Sequence, residues 1–503
     1  MATLLLMFWW VTAAELVVLL LPSAWWRRVL APFVCVALSA VSAGLLVVHP
    51  SLPMAAVIVI SVYRIVNLFR VVRGRMHEKY LRRATRQTSL WAIAAQGVVL
   101  GVWFLANRQH VSTYHVWIVL MYLDLVGAGI LLVSTLRSIR KTRVLRAEEA
   151  PGTGNDVPTL TVAIPARNET DDLEACLQSL IASDYPKLEI LVLDDCSQNR
   201  RTPEIIRSFA HAGVRFVQGE VPAENWLAKN QACQQLLTEA NGELVLFCGV
   251  DVRFEPHSLR LLVAAMERKR KSMVSLLPRN EMPAHAPFMG AMLVQPLRYA
   301  WELSLPRRQF RRPPVLSTCW IARRELLLAA GGFAAVSRSI VPESYFARTS
   351  MVHDGYSFMQ GDGVLGITSN KRFSEQLATA MRTRYPQVHR RVELVMAMTV
   401  AELMGVVMPY ALLVWGVFGT ISLQLLSISA ATIILLTTTY VLVTYMTYRR
   451  WLVRALWFPL FAIGMDVGLL NYSMVQYEFF QVIWKDRNVC LPVMRAIEHL
   501  PTE

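Results

Sequence analysis

Charge is what this sequence has least of. Only 17% of its 503 residues are charged while 54% are hydrophobic, against about a quarter charged in soluble proteins, which excludes a wholly soluble chain. Cysteine is sparse too: Cys35, Cys176, Cys196, Cys233, Cys248, Cys319 and Cys490 lie scattered, without a C-x-x-C pair. No His/Cys spacing builds a zinc site and no H-E-x-x-H occurs, so the cysteines read as reduced core residues and the histidines imply no metal. Basic residues are missing ahead of the first apolar run, 2–21, which carries Glu15 and leads into a second run without a convincing cleavage site. A removable signal peptide is therefore not expected. Repeats and low-complexity segments are also absent. Acidic residues are the minority, 36 against 51 Lys and Arg, a formal charge of +15. The basic excess clusters beside apolar runs, the pattern of loops that fix membrane topology, and no nucleic-acid partner is expected.

What the sequence does have is long apolar stretches. Five, at 2–21, 29–48, 53–71, 89–106 and 114–136, are each long enough to cross a bilayer. From 137 the chain turns charged and alternating. It is apolar again over 393–476, with breaks near Thr420 and near Tyr448-Arg449-Arg450. This gives an N-terminal membrane region (1–136), a linker (137–157), a soluble domain (158–390) entered through EEAPGTGNDVP at 148–158, about three further spans (391–480) and a tail (481–503). Arg27-Arg28, the run from Arg70 to Arg86, and Arg137 through Arg146 fall on one side of the first five spans, whereas 49–53 and 107–113 are nearly uncharged. The basic side is cytoplasmic, which places the soluble domain in the cytoplasm of a multi-pass protein of the cell membrane and leaves the side of the C-terminus open.

Between 158 and 279 strand and helix alternate: TLTVAIPA, a helix over LEACLQSLIAS, EILVLDD, a helix near 202–212, VRFVQG, a helix from Trp226 to Ala240, ELVLFCGVD, a helix from about Pro256, and MVSLLP. Short apolar runs separated by helices predict a Rossmann-like α/β domain with a buried, mostly parallel sheet. Asp171-Asp172-Leu173-Glu174 reads as an N-terminal cap of the first helix, and Asn241-Gly242 as the stop of the helix from Trp226 to Ala240. In such sheets ligands bind beyond the carboxyl ends of the strands, which here carry Arg167-Asn168-Glu169, Asp194-Asp195 and Gly249-Val250-Asp251. A single carboxylate there is an ordinary cap or turn residue. Three successive polar strand ends point to a site.

VAIPARNE, LVLDDCS, WLAKNQA, LFCGVDVRF and RREL…AAGGF, in this order and spacing, resemble the family 2 glycosyltransferases of GT-A fold. The likeness is nearest to the membrane-embedded branch of ceramide glucosyltransferase and the hopanoid-associated glycosyltransferases. That branch ends in a W-K-G-R-like segment comparable to Trp484-Lys485-Asp486-Arg487. The resemblance implies that Ala166, Asn168 and Glu169 line a nucleotide pocket and that Asp194 and Asp195 contact base and ribose. It makes Asp251 the second Asp of a D-x-D motif, holding Mg²⁺ or Mn²⁺ against the donor diphosphate, with Lys229 as a nearby point charge. Glu343 stands where the family has an E-D pair whose Asp is the general base. Arg384-Tyr385 stand for the Arg-Trp of Q-x-x-R-W, the arginine facing the diphosphate and the ring the acceptor.

The sequence departs from the family at Ala228, at Gly249 for the first Asp, at Pro342 for the first acid of the pair, and at Met381 for the Gln. Each motif keeps the member with the chemistry, which favours an active enzyme. The reading is an inverting glycosyltransferase that moves a sugar from a nucleotide sugar, a UDP-sugar first, to a membrane-associated lipid or polyprenyl-type acceptor. A processive polysaccharide synthase, and a catalytically inactive nucleotide-sugar sensor or scaffold, are the alternatives. The amphipathic stretch 285–312, with Arg307, Arg308, Arg311 and Arg312, reads as an interfacial helix against membrane lipids. Glu15, Arg64, Asp124, Glu402 and Asp466 lie in or near apolar spans, where ionisable groups are expected to pair between helices.

Overall fold

The computed structural model describes residues 2–20, 24–72, 79–107, 113–142, 157–281, 294, 296, 299–300, 303, 313–361, 363–388, 390–419, 421–448, 455–456, 458–485 and 487–489. The chain divides into two compact units, Met1–Leu120 and Met121–Glu503. Most of the expected interfacial helix 285–312, with its four arginines, lies outside the described residues.

The first unit contains the helices Ala2–Leu20, Ala24–Val48, Leu52–Val72 and Lys79–Asn107. Their apolar faces meet in a core of Phe8, Leu38, Leu45, Met54, Val57 and Leu100. At its centre Arg64, fully buried, donates from Nε to Glu15 at 2.9 Å, from Nη1 to Gln96 at 2.6 Å and from Nη2 to Thr12 at 3.0 Å. Gln96 passes the network on to Ser61 Oγ at 2.7 Å and the Val57 carbonyl at 2.8 Å. Arg64 and Glu15 thus pair between helices, as burial in an apolar bundle demands. Among the described residues, four helical stretches are long and apolar enough to cross a membrane: Val29–Val48, Trp117–Thr142, Val392–Gly416 and Leu423–Tyr448.

In the second unit a nine-stranded mixed sheet is ordered β3-β2-β1-β4-β7-β6-β9-β5, with β8 also on β6. The strands are β1 Leu160–Ala166, β2 Leu188–Asp194, β3 Val214–Gln218, β4 Leu244–Cys248, β5 Val252–Phe254, β6 Met273–Asn280, β7 Cys319–Arg323, β8 Tyr356–Gly361 and β9 Ile367–Ser369. The five strands read from the sequence are β1, β2, β3, β4 and β6. The first four pair in parallel, but β7 enters antiparallel between β4 and β6, so the sheet is mixed. Period-two alternation explains the burial of both faces. Leu160, Val162 and Ile164 of β1 join one core beneath the helices Asp171–Ile181 and Ser258–Arg268, while Ala163 joins the other with Leu236, Phe247 and Trp320.

Two local expectations change. Asp171, Asp172 and Glu174 occupy the first helical turn, but Thr170 is the N-cap and no side chain caps it, so the acids act there only through charge. The helix Ala228–Glu239 ends before Asn241-Gly242. Asn241 turns its amide to Glu189 at 2.8 Å, and a β-carbon on Gly242 would strike the Thr161 backbone nitrogen. Gly242 therefore serves close approach to β1, not a helix stop.

After the sheet, the helix Phe373–Gln387 packs on the helix Phe458–Phe479, which follows Leu423–Tyr448. The helix over Val392–Phe418 changes to π-helical turns at Leu403–Val407. The chain then forms a short antiparallel hairpin, Ile483–Trp484 against Arg487–Asn488.

Candidate active site

Register sets the site. Ala166 pairs with Asp194 across β1 and β2, and Ala163 with Phe247 across β1 and β4, so three carboxyl ends lie level at one rim of the sheet. Beyond them opens a cavity of about 400 Å³, adjoined by a second of about 390 Å³. Lys229, Ser317, Glu343, Arg382 and Trp484 line both, which makes them two lobes of one cleft. The larger lobe is floored by the stacked rings of Phe247 and Trp320, 4.7 Å apart, with Phe333 edge-on at 5.3 Å. The smaller is walled by Trp226, Leu227, Val315, Ile340 and Val341.

Of the residues singled out from the sequence, Ala166, Glu169, Asp195, Lys229, Asp251 and Glu343 line the larger lobe. Asn168 and Asp194 do not. Asn168 holds a left-handed backbone (φ 50°) and accepts from the Gln198 amide at 2.8 Å, while Asp194 accepts from the Ser197 amide at 3.1 Å. Both shape the loop behind the rim. Adjacent residues at a strand end face opposite ways, so only one of two consecutive aspartates reaches the cavity.

Asp195 and Glu169 are held by the tail hairpin. Arg487 Nη1 donates to both carboxylate oxygens of Asp195 at 2.8 Å, and Nη2 to its carbonyl at 3.2 Å. Lys485 pairs with Glu169 and donates to the Arg167 carbonyl at 2.9 Å, while Arg167 Nε returns a bond to the Lys485 carbonyl at 2.9 Å. Burial raises both carboxyls above their ordinary range; Lys485 opposes this at Glu169, and Arg487 does so at Asp195. Cys233, on the same wall, has its thiol pushed up to about 12 by burial, which removes it as a nucleophile.

Asp251 Oδ2 accepts from Ser369 Oγ at 2.8 Å, and Oδ1 folds back over Gly249, where a β-carbon would collide with it. The glycine at the first position of the motif is thus what the aspartate's rotamer needs. No group of three His, Cys, Asp or Glu suited to a metal occurs among the described residues. One carboxylate plus diphosphate oxygens and water fits a hard divalent ion such as Mg²⁺ or Mn²⁺, and an all-protein cage does not.

Glu343 is 2% exposed and opens the helix Glu343–Met351 at the junction of the lobes. Its carboxylate is the acid that faces both.

Arg384 and Tyr385 line neither lobe. On the helix Phe373–Gln387, Arg384 turns to an ion pair with Asp466 of the helix Phe458–Phe479. Tyr385 is fully buried, its hydroxyl donating to Glu478 at 2.8 Å or to the Arg390 carbonyl at 2.9 Å. The cleft instead receives Arg382, whose guanidinium lies 4.5 Å over the Trp484 ring. Two residues along a helix are about 200° around it, so Arg382 and Arg384 face opposite ways. The motif alone did not carry that helical phase. Lys485 and Arg487 had a sequence signal in the tail segment, but nothing in it identified their partners.

Residues 161–329 match the family model described as Glycosyl transferase family 2. Over 127 residues the chain is 30% identical to a 4,4'-diaponeurosporenoate glycosyltransferase of Staphylococcus haemolyticus, covering 25% of this chain and 33% of that protein. Over 96 residues it is 32% identical to one of Staphylococcus aureus, covering 19% and 24%. The matches thus span a third or less of these relatives' length. Among solved structures, a mannosyltransferase from Pyrobaculum calidifontis in complex with GDP-Man and Mn²⁺ is similar at 18% identity and a TM-score of 0.42, covering 72% of this chain and 98% of that one. S. aureus TarS in complex with UDP-GlcNAc follows at 15% and 0.32, covering 66% and 95%. Residues 161–329 thus match a family 2 glycosyltransferase domain, on a mixed sheet of GT-A-like α/β fold that apolar helices precede and follow in sequence.

Proposed function

We propose that the protein is an inverting glycosyltransferase that moves a sugar from a nucleotide sugar, a UDP-sugar first, to a lipid or polyprenyl-type acceptor at the cytoplasmic face of the cell membrane. The observation that carries this reading is the position of Glu343 at the junction of two lobes, one at the strand ends lined by Asp195, Asp251 and Lys229, the other with Trp226, Ile340 and Val341 in its wall. The lobe at the strand ends suits the donor, and the Trp226, Ile340 and Val341 wall of the other suits the hydrocarbon body of an acceptor. Relatives named for 4,4'-diaponeurosporenoate support an apolar acceptor, and the basic loops on one side of the first five spans support the cytoplasmic orientation.

In this mechanism Glu343 accepts the acceptor's proton as the acceptor oxygen attacks the anomeric carbon. The bond from that carbon to the nucleoside diphosphate breaks in the same step. Displacement from one face inverts the anomeric centre. Asp195 faces the nucleoside, Lys229 and Arg382 face the diphosphate, and Asp251 would hold Mg²⁺ or Mn²⁺, which supplies charge neutralisation on the leaving group. Arg384 and Tyr385 support the site by anchoring their helix to the helix Phe458–Phe479.

The test is nucleoside diphosphate release by the full chain in lipid nanodiscs, across UDP-, GDP- and TDP-sugars, with Mg²⁺, Mn²⁺ or chelator and a lipid extract as acceptor. Metal-dependent release with one donor is expected. A product that grows into a polymer would replace the lipid-acceptor reading with a processive synthase, and donor binding without any release would make the domain a sensor.

A further inference from the structure

We propose that the tail hairpin is the third wall of the donor site, and that Arg487 and Lys485 are positioning residues that set nucleotide affinity by holding Asp195 and Glu169. This rests on the donor reading of the larger lobe.

The argument begins with charge. Six carboxylates line that lobe, against four Lys or Arg from the chain before residue 390. Without the tail, the wall would meet an anionic diphosphate with an excess of negative charge, unfavourable in a cleft of low dielectric. Lys485 adds a fifth cation, and Arg487 reaches in from the second lobe to neutralise Asp195.

Geometry separates a positioning role from a plug. The side chain of Asp195 is 7% exposed, and each of its oxygens receives one N–H from Arg487 Nη1. A carboxylate has about four accepting sites over its two oxygens, so each keeps a lone pair for a ribose hydroxyl or a base N–H. Arg487 therefore occupies and orients the carboxylate without exhausting it. Without Arg487, a buried acid would lose its opposing cation, and burial would drive it towards the neutral form.

The hairpin is built to stay. Its base is closed by the Val489 amide on the Val482 carbonyl at 2.9 Å, and both valines are buried in a cluster with Tyr385 and Tyr477. Its turn holds Lys485 in a left-handed backbone (φ 47°), which brings that residue's carbonyl onto Arg167 and its ammonium onto Glu169. Trp484 lies beneath Arg382, joining the hairpin to the helix Phe373–Gln387. One short segment thus ties the ends of β1 and β2 to the helix that crosses the cleft.

The experiment is binding of UDP and GDP, each with Mn²⁺, to the full chain in nanodiscs by calorimetry. Arg487→Met and Lys485→Met are expected to weaken the Kd of the nucleotide that wild type binds by about tenfold, in proportion to a lost charge-assisted contact. Arg487→Lys, able to reach only one oxygen at a time, is expected to recover part of the loss, which a purely structural role would not show. Asp195→Asn combined with Arg487→Met should be no weaker than Arg487→Met alone, because the two act as one unit. Gln481→Ala, exposed just before the hairpin, serves as the control and should bind as wild type does. If wild type binds neither nucleotide, the donor reading falls and this inference with it. If wild type binds while Arg487→Met and Lys485→Met bind equally well, the inference alone is overturned. Tighter binding in those variants would also overturn it and make the hairpin an inhibitory latch.

Discussion

Two ionic clusters in this molecule use the same chemistry to opposite ends. In the first unit, Arg64 spends its donors on Glu15, Gln96 and Thr12, and the side chains of the Arg64–Glu15 pair are fully buried. At the rim of the sheet, Arg487 and Lys485 grip Asp195 and Glu169, yet both acids line a cleft of about 400 Å³. A closed pair fixes helices together; an open pair keeps charged acceptors oriented in a space that a ligand can enter. The side chains of the closed pair are fully buried, whereas those of the open pairs keep between 7% and 26% exposure.

The contrast is broken first at its closed end. Arg64→Met leaves Glu15 buried without its cation, and a loss of about 3–5 kcal/mol of stability is expected. Unfolding in detergent should show it, with nucleotide affinity unchanged in the protein that remains folded. The double variant Arg64→Met with Glu15→Met should recover most of the loss, because nothing charged is left stranded. At the open end, Glu343→Gln should lower turnover by about 10²-fold or more while leaving UDP or GDP binding near wild type, which single-turnover assays beside calorimetry would separate.

Arg382 and Arg384 sharpen the contrast within one helix. Arg384→Met should destabilise the fold by roughly 3 kcal/mol, since Asp466 is left buried, and should leave donor affinity alone. Arg382→Met should do the reverse, raising donor KM about tenfold with little change in unfolding. The reverse pattern in both variants would return Arg384 to the cleft.

The smallest effect is in pH. Glu169 and Asp195 have raised carboxyls, so they take up protons at a higher pH than ordinary acids do. As pH falls through that range their pairs with Lys485 and Arg487 lose charge, and nucleotide affinity should decline before exposed acids, near about 4, begin to titrate. For folding the sign is opposite: a raised carboxyl favours the protonated folded state, so these two groups cost stability as pH rises through their folded pKa. A pH series of nucleotide affinity (1/Kd) and of unfolding midpoints should therefore slope in opposite directions over the same interval.

Much of the sheet was legible because parallel strands covered on both faces are written as unbroken apolar runs, as in LTVAIPA and LVLFC. The strands not read from the sequence were short or joined through distant chain. Val252–Phe254 and Ile367–Ser369 have three residues each, too few to show a period, and Cys319–Arg323 is followed at once by a helix. Within the site, the polar strand ends pointed to the rim, but not to which aspartate of Asp194-Asp195 turns inward. The arginine motif gave a helix and a charge without the phase that sends Arg382 to the cleft and Arg384 to Asp466. The partners of Lys485 and Arg487 are 316 and 292 residues away, a separation at which local pattern carries no information.

That separation also has a meaning in time. A ribosome that has reached residue 390 has already made all nine strands, Asp195, Asp251 and Glu343. The cations that complete Asp195 and Glu169 are translated only after the helices Leu423–Tyr448 and Phe458–Phe479. A nascent chain therefore carries Glu343 before the cations that hold Asp195 and Glu169, and this rim of the cleft is complete only once the last apolar helices have been synthesised.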